Sequence, residues 1–238
     1  MKKFHQMSQK KSLRNVQVNK LLSLNIVSKL DSIKLLYLFI TVLLSGAIIS
    51  GSLTTDARWM NWHFSRLGEG GMTSAIFFNI TVFISALVMF MIALSLSNIV
   101  SHIPKNKDVD IGRANIIIYR SFTAVTVCLI GVAIFPFDRF PVVHNICGYS
   151  MLMIFMYLCI SAPKFLPIFS KAFYIYSKLV ILSVIICYTL FIVLNVISLL
   201  TVEFIIFTFL YAWLLLFVKG IRQYSYSYNN QKNTLLNE

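Results

Sequence analysis

Two short segments hold most of the side chains in this 238-residue chain that could bind a ligand or move a proton. The first runs from Thr54 to Gly71 and places Asp56, Arg58, His63, Ser65, Arg66 and Glu69 among Trp59 and Trp62. If residues 56–66 are helical, Asp56, Trp59, His63 and Arg66 share one face by their spacing of three and four. Gly68, Gly70 and Gly71 would then end the helix and let the chain turn sharply. The second segment, Phe135 to His144, is stiffened by Pro136 and Pro141 and carries Asp138, Arg139 and His144. His63, Glu69, Asp138 and His144 are suitable donors for zinc, which activates a water against an ester or amide. Arg66 and Arg139 are suitable partners for a phosphate, with Trp59 and Trp62 at headgroup level. The bland alternative is an interfacial connector whose tryptophans are belt aromatics and whose adjacent Asp138 and Arg139 solvate a turn.

The elements that must position these residues are apolar helices. Hydrophobic side chains make up 58% of the chain and charged ones only 12%, about half the share usual in a globular protein. A span needs about 20 mostly apolar residues. Such runs occur at about Leu35–Leu53, Ser74–Val100, Ala114–Phe135 and Asn145–Ala162. The stretch from Lys178 to Val218 would be about 60 Å long as one helix, twice the hydrocarbon thickness, so it must fold back. Ser198, Thr201 and Glu203 are its polar punctuation, which predicts a tight turn there with Ser198 or Thr201 as N-cap and Glu203 as an exposed turn residue. The expected fold is an all-α, polytopic membrane bundle of six spans covering residues 35–219. A basic arm precedes it (1–34), and a disordered tail follows it (220–238).

The net charge of +13 sets topology rather than binding nucleic acid, because no aromatic or base-reading motif accompanies it. Sixteen Lys and Arg fall on the side of the termini and three, Arg58, Arg66 and Arg139, on the other. Both termini are therefore expected in the cytoplasm, with the two polar segments outside. Within the arm, Leu22, Ile26, Leu30 and Ile33 share one face of a helix over about 18–33 that could lie on the inner leaflet. The arm is too long and polar for a cleavable signal peptide. Cys128, Cys147, Cys159 and Cys187 fall within spans without C-x-x-C spacing and read as small buried hydrophobes. Phosphate-loop, dinucleotide, H-E-x-x-H and G-x-S-x-G signatures are absent. Asn79, about 8 Å into the second span, either bonds across a helix interface or floors the outer site. Arg120 is expected to snorkel to the inner headgroups.

The stretch His63-Phe64-Ser65-Arg66-Leu67-Gly68, followed by Ala75-Ile76-Phe77-Phe78-Asn79, resembles the S-x-L-G … F-N segment of the domain-of-unknown-function 998 membrane proteins. That group is similar to the Frag, DRAM and Sfk six-span proteins. Gly131 to Asp138, with His144 six positions on, resembles the family's G-x-F-P-x-D … H segment. Arg66 departs from the pattern, which has an acidic or small residue there. The resemblance implies six spans, a site on the outer face and an association with lipid regulation rather than a defined reaction.

The favoured reading is an integral membrane protein that binds a lipid headgroup or small ligand at its outer face, in a regulatory or accessory role. Its site comprises Asp56, His63, Ser65, Arg66, Glu69, Asn79, Asp138, Arg139 and His144. Membrane lipids are the expected partners, with another membrane protein as a further candidate and no nucleic acid. No cofactor is expected; zinc belongs to the alternative, a metal-dependent hydrolase acting on lipid. Transport ranks third, since the spans carry few ionisable groups. The Ile-, Lys- and Asn-rich usage points to a bacterial plasma membrane.

Overall fold

A computed structural model describes residues 30–56, 59–60, 63–70, 73–103, 110–166 and 168–236. The arm up to residue 29, including most of the expected amphipathic helix, lies outside the described residues, as do Arg58, Trp62 and Gly71. The described chain is all-helical. Six helices follow one another: α1 Ser32–Leu53, α2 Thr73–Ser101, α3 Ile111–Ile134, α4 Pro141–Phe165, α5 Lys171–Ile192 and α6 Leu199–Leu236. All six are long and apolar enough to cross a membrane, so the chain is a multi-pass bundle.

The helix starts are set by local chemistry. The Asp31 carboxylate accepts from Ile33 N at 2.9 Å and so caps α1, and Asp110 caps α3 through Arg113 N at 3.0 Å. Pro141 opens α4, where its missing N–H costs nothing. The fold-back expected in the long apolar stretch occurs between Ile192 and Leu199. Asn195 takes the left-handed conformation there (φ 52°), and the chain reverses enough for Val196 N to reach Leu190 O at 3.0 Å. Ser198 Oγ then accepts from Thr201 N at 3.2 Å, so Ser198, not Thr201, is the cap.

Two expectations are corrected. Residues 220–236 continue α6 as helix rather than forming a disordered tail. The run after Gly220 contains neither Gly nor Pro to stop it. Arg222 on this extension pairs with the Asp31 carboxylate, tying the end of α6 to the start of α1. Residues 56–66 are also not one helix: His63 is extended (φ −154°, ψ 158°), and only a five-residue 3-10 turn, Phe64–Gly68, follows it.

Neighbouring helices pack in sequence, and α6 returns against α1 and α2 to close the bundle. Small residues allow the close crossings. A Cβ at Gly46 on α1 would stand 2.0 Å from Thr81 Cγ2 on α2. The α5–α6 hairpin is held by the fully buried Trp213, which packs on Phe173 of α5 at 5.6 Å and donates from its indole to Ser177 Oγ at 2.8 Å. The four cysteines are free thiols. Arg120 is exposed on α3, where its side chain is free to extend along the bundle surface. Overpacking costs typically about 1–3 kcal/mol, so Gly46→Val should lower the melting temperature of the purified protein. Adding Thr81→Ala should restore part of the loss, which thermal unfolding in detergent would measure.

Candidate functional site

The connections α1–α2, α3–α4 and α5–α6 meet at one end of the bundle. Irregular backbone packed against the helix ends must find its hydrogen bonds within the protein where water is shut out, and several of the polar residues singled out above supply them. Ser50 Oγ, fully buried on α1, donates to Ser74 O at 2.6 Å. Asn79 Nδ2 donates to Gly68 O at 3.1 Å. A side chain at Gly68 could not fit, since its Cβ would stand 2.5 Å from Asn79 Oδ1. Asn79 thus holds the α1–α2 connection, rather than bonding across a helix interface or flooring the cavity. Asp138, exposed in the α3–α4 turn, accepts from Gly70 N at 3.1 Å, where Gly70 has φ 80°.

Arg66 is committed to two carboxylates. Its Nη2 and Nε both reach Asp56 Oδ2, at 2.9 and 3.2 Å, and its Nη1 is 3.5 Å from Glu69 Oε2. Asp56 and Arg66 therefore meet, although not on the helical face that spacing suggested. Arg139 lies apart, exposed and with no ion-pair partner among the described residues. Neither arginine is thus presented as an open phosphate receptor.

The two histidines flank one ring. His63 stands edge-on to Phe137 at 5.1 Å, and Phe137 edge-on to His144 at 5.9 Å. His144 Nδ1 lies 2.8 Å from Phe135 O. A carbonyl only accepts, so Nδ1 carries the hydrogen and Nε2 presents a lone pair. His63 Nδ1 is 2.8 Å from Ser65 Oγ, while its Nε2 lies 3.7 Å from Glu69 Oε1, too long for a hydrogen bond. Burial, the facing His144 and the Arg66 guanidinium together depress the His63 pKa to about 4. The ring is therefore neutral at pH 7, and its approach to Glu69 is not an ion pair. Burial raises the Glu69 carboxyl, Arg66 partly opposes this, and Asp138 and Asp56 push it further up. Glu69 Oε1 is buried without a hydrogen-bond partner.

Glu203 was expected as an exposed turn residue. It instead sits just past the first turn of α6, half-buried, and its Oε2 accepts from Phe64 N at 2.6 Å. That bond joins residues 139 positions apart and ties the α1–α2 connection to the last helix. One signal in the sequence could have found it: Glu203 is the only acid between Asp138 and Glu238.

Below this end lies a cavity of about 400 Å³. Its mouth carries His63, Ser65, His144, Asn145 and Glu203, with Phe137, Tyr149 and Tyr188 beside them. Its body is apolar, lined among others by Phe39, Met89, Leu129, Leu152, Phe155 and Leu210. Lining residues extend along α6 from Leu199 to Leu214, about 22 Å at the helical rise. Asn145, Tyr149 and Tyr188 were not legible as site residues, because in the sequence they are single polar positions inside apolar runs. Of the sequence-derived set, His63, Ser65 and His144 line the cavity. Asp56, Arg66 and Glu69 form the charged cluster beside it. Asn79 and Asp138 hold backbone, and Arg139 stands off.

Among the described residues, no three of the His, Cys, Asp and Glu side chains gather as a metal site would require. No protein-family model matches the chain, and no curated protein or solved structure is significantly similar to it.

The His63 shift has a measurable consequence. A histidine whose folded pKa lies near 4 binds fewer protons folded than unfolded between there and its ordinary 6.5. Its contribution is complete above about pH 6.5 and is lost as pH falls toward 4, while the raised Glu69 works in the opposite sense. The melting temperature should fall on acidification through that window. His63→Gln, which keeps an amide in place of the ring but does not titrate, should flatten the fall.

Proposed function

We propose that this protein binds a single-chain amphiphile from the membrane, in a regulatory or accessory role. The chain would occupy the apolar cavity and the polar head would sit at the His63–His144–Glu203 mouth. The observation that carries this reading is the cavity itself. Its 400 Å³ falls within the range of ligand pockets, roughly 300–1,000 Å³. It has one polar end and one apolar body, and it is bounded by all six membrane-spanning helices. The Lys and Arg distribution supports a mouth on the outer side, with both termini in the cytoplasm of a plasma membrane. The resemblance to the domain-of-unknown-function 998 proteins agrees with a lipid-linked role; its S-x-L-G … F-N residues here hold the mouth in shape through the Gly68–Asn79 contact.

Gly148 offers the cleanest test. It lines the cavity, and a Cβ there meets nothing within 4 Å, so a larger side chain enters open space rather than packed core. Gly148→Leu should leave the melting temperature near the wild-type value and weaken amphiphile binding about tenfold or more. Native mass spectrometry of the detergent-released protein would read both the co-purified lipid and its loss. An unchanged lipid load in a folded Gly148→Leu protein would overturn the reading.

A hydrolytic reading has one observation behind it. Ser65 Oγ, His63 Nδ1, His63 Nε2 and Glu69 Oε1 follow one another at 2.8 and 3.7 Å across the ring, in the order nucleophile, base and carboxylate. This differs from the zinc-assisted reaction, for which the described residues offer no donor group of three. A fluorophosphonate probe decides it: adduct formation at Ser65, abolished in His63→Gln, would make the protein an acyl hydrolase. No adduct would leave it a binding protein.

A further inference from the structure

We infer that the cavity mouth takes the ammonium head of a long-chain amine, and that Glu203 is its counter-ion. This rests on the amphiphile-binding reading and names the class of head group.

The argument starts from what the mouth lacks. Among the described residues Arg66 is the one cation in the charged cluster, and it is held by Asp56 and Glu69. Arg139 is exposed and lines no part of the cavity. An anionic head would therefore meet Glu203 with no open positive charge to offset it.

Beside the hydroxyls and the Asn145 amide, the mouth offers two acceptors, on Glu203 and His144. Glu203 Oε2 is used by Phe64 N, while its Oε1 has no partner and its carboxylate no cation among the described residues. A carboxylate facing an apolar cavity with one backbone donor is poorly compensated, and a cation or further donors must make up the difference. His144 Nε2 is a lone pair, because Nδ1–H is spent on Phe135 O. Glu203 and His144 both line the same end of the cavity, and a primary ammonium brings three N–H donors and a positive charge to it. The aromatic rings of Phe137, Tyr149 and Tyr188 around that mouth also favour a cation over an anion.

The test uses the full chain in phosphatidylcholine nanodiscs, with binding to empty discs subtracted. Three probes share one chain and differ only in the head: dodecylamine, 1-dodecanol and dodecyl phosphate. Dodecylamine should bind about tenfold or more tighter than either of the others. In Glu203→Gln, which keeps an oxygen for Phe64 N, the three should fall within about threefold of one another. Dodecyl phosphate or 1-dodecanol binding as tightly as dodecylamine to the wild-type protein would overturn the ammonium assignment and leave amphiphile binding standing. Failure of all three probes to bind would instead sink the amphiphile reading itself. The wild-type ranking decides the head group even if the variant does not fold.

Discussion

Backbone packed over the ends of apolar helices is screened from water and must find other hydrogen-bond partners, and that constraint shapes one whole end of this protein. The 19 residues between Leu53 and Thr73 are too many for a tight turn, and their described part forms only short turns. Side chains from four other places reach in to do it. Ser50 from α1, Asn79 from α2, Asp138 from the α3–α4 turn and Glu203 from α6 each bond a backbone group of this connection or its junction with α2. Arg66, between Asp56 and Glu69, closes the connection upon itself. The polar residues here are first of all the means by which a long loop is held against six apolar helices.

That accounting separates the groups that are spent from those that are left. Arg66, Asn79 and Asp138 have structural employment that explains their chemistry. The second ring nitrogen of His144 and the second carboxylate oxygen of Glu203 do not, and both residues line the cavity. A polar group kept in a low-dielectric setting without a partner is costly, so its persistence at the opening of an apolar cavity is better accounted for by a ligand than by folding. The neutral state of His63 fits the same picture. Burial and two neighbouring basic groups hold it uncharged, so the positive charge that the neighbouring carboxylate lacks is not supplied by the protein's own imidazole.

Much of the architecture is legible because apolar length is a strong signal: five of the six helix boundaries at the loop-rich end fall within a few residues of where hydropathy breaks, and of the two cap candidates Ser198 and Thr201 it is the Ser198 hydroxyl that accepts from Thr201 N. The fold-back was placed slightly late because its decisive residue is Asn195, whose left-handed φ leaves no mark in hydropathy. The two loops were correctly expected to share an end. Their internal geometry was not readable, since helical periodicity in 56–66 assumed a regular helix where the chain is extended at His63. Asp56 and Arg66 found each other regardless, because opposite charges in one short connection need only proximity.

Glu203 shows the limit most clearly. Read locally, an acid near a helix N-terminus is a favourable surface charge and requires nothing more. Its actual role depends on a contact 139 residues away in sequence, with a backbone N–H whose position no side-chain pattern encodes. Non-local partners of this kind are set by the closure of the bundle, where α6 returns to α1 and α2. The same closure frames the cavity, because the α5–α6 hairpin is pinned toward its other end by Trp213 against Phe173 and Ser177 and α6 is braced at the mouth by Glu203. One side chain thus fastens the last helix to the first connection and faces the space between them. A ligand that engages Glu203 would act on the contact that closes the bundle, which gives a binding event at the mouth a direct route to the position of α6.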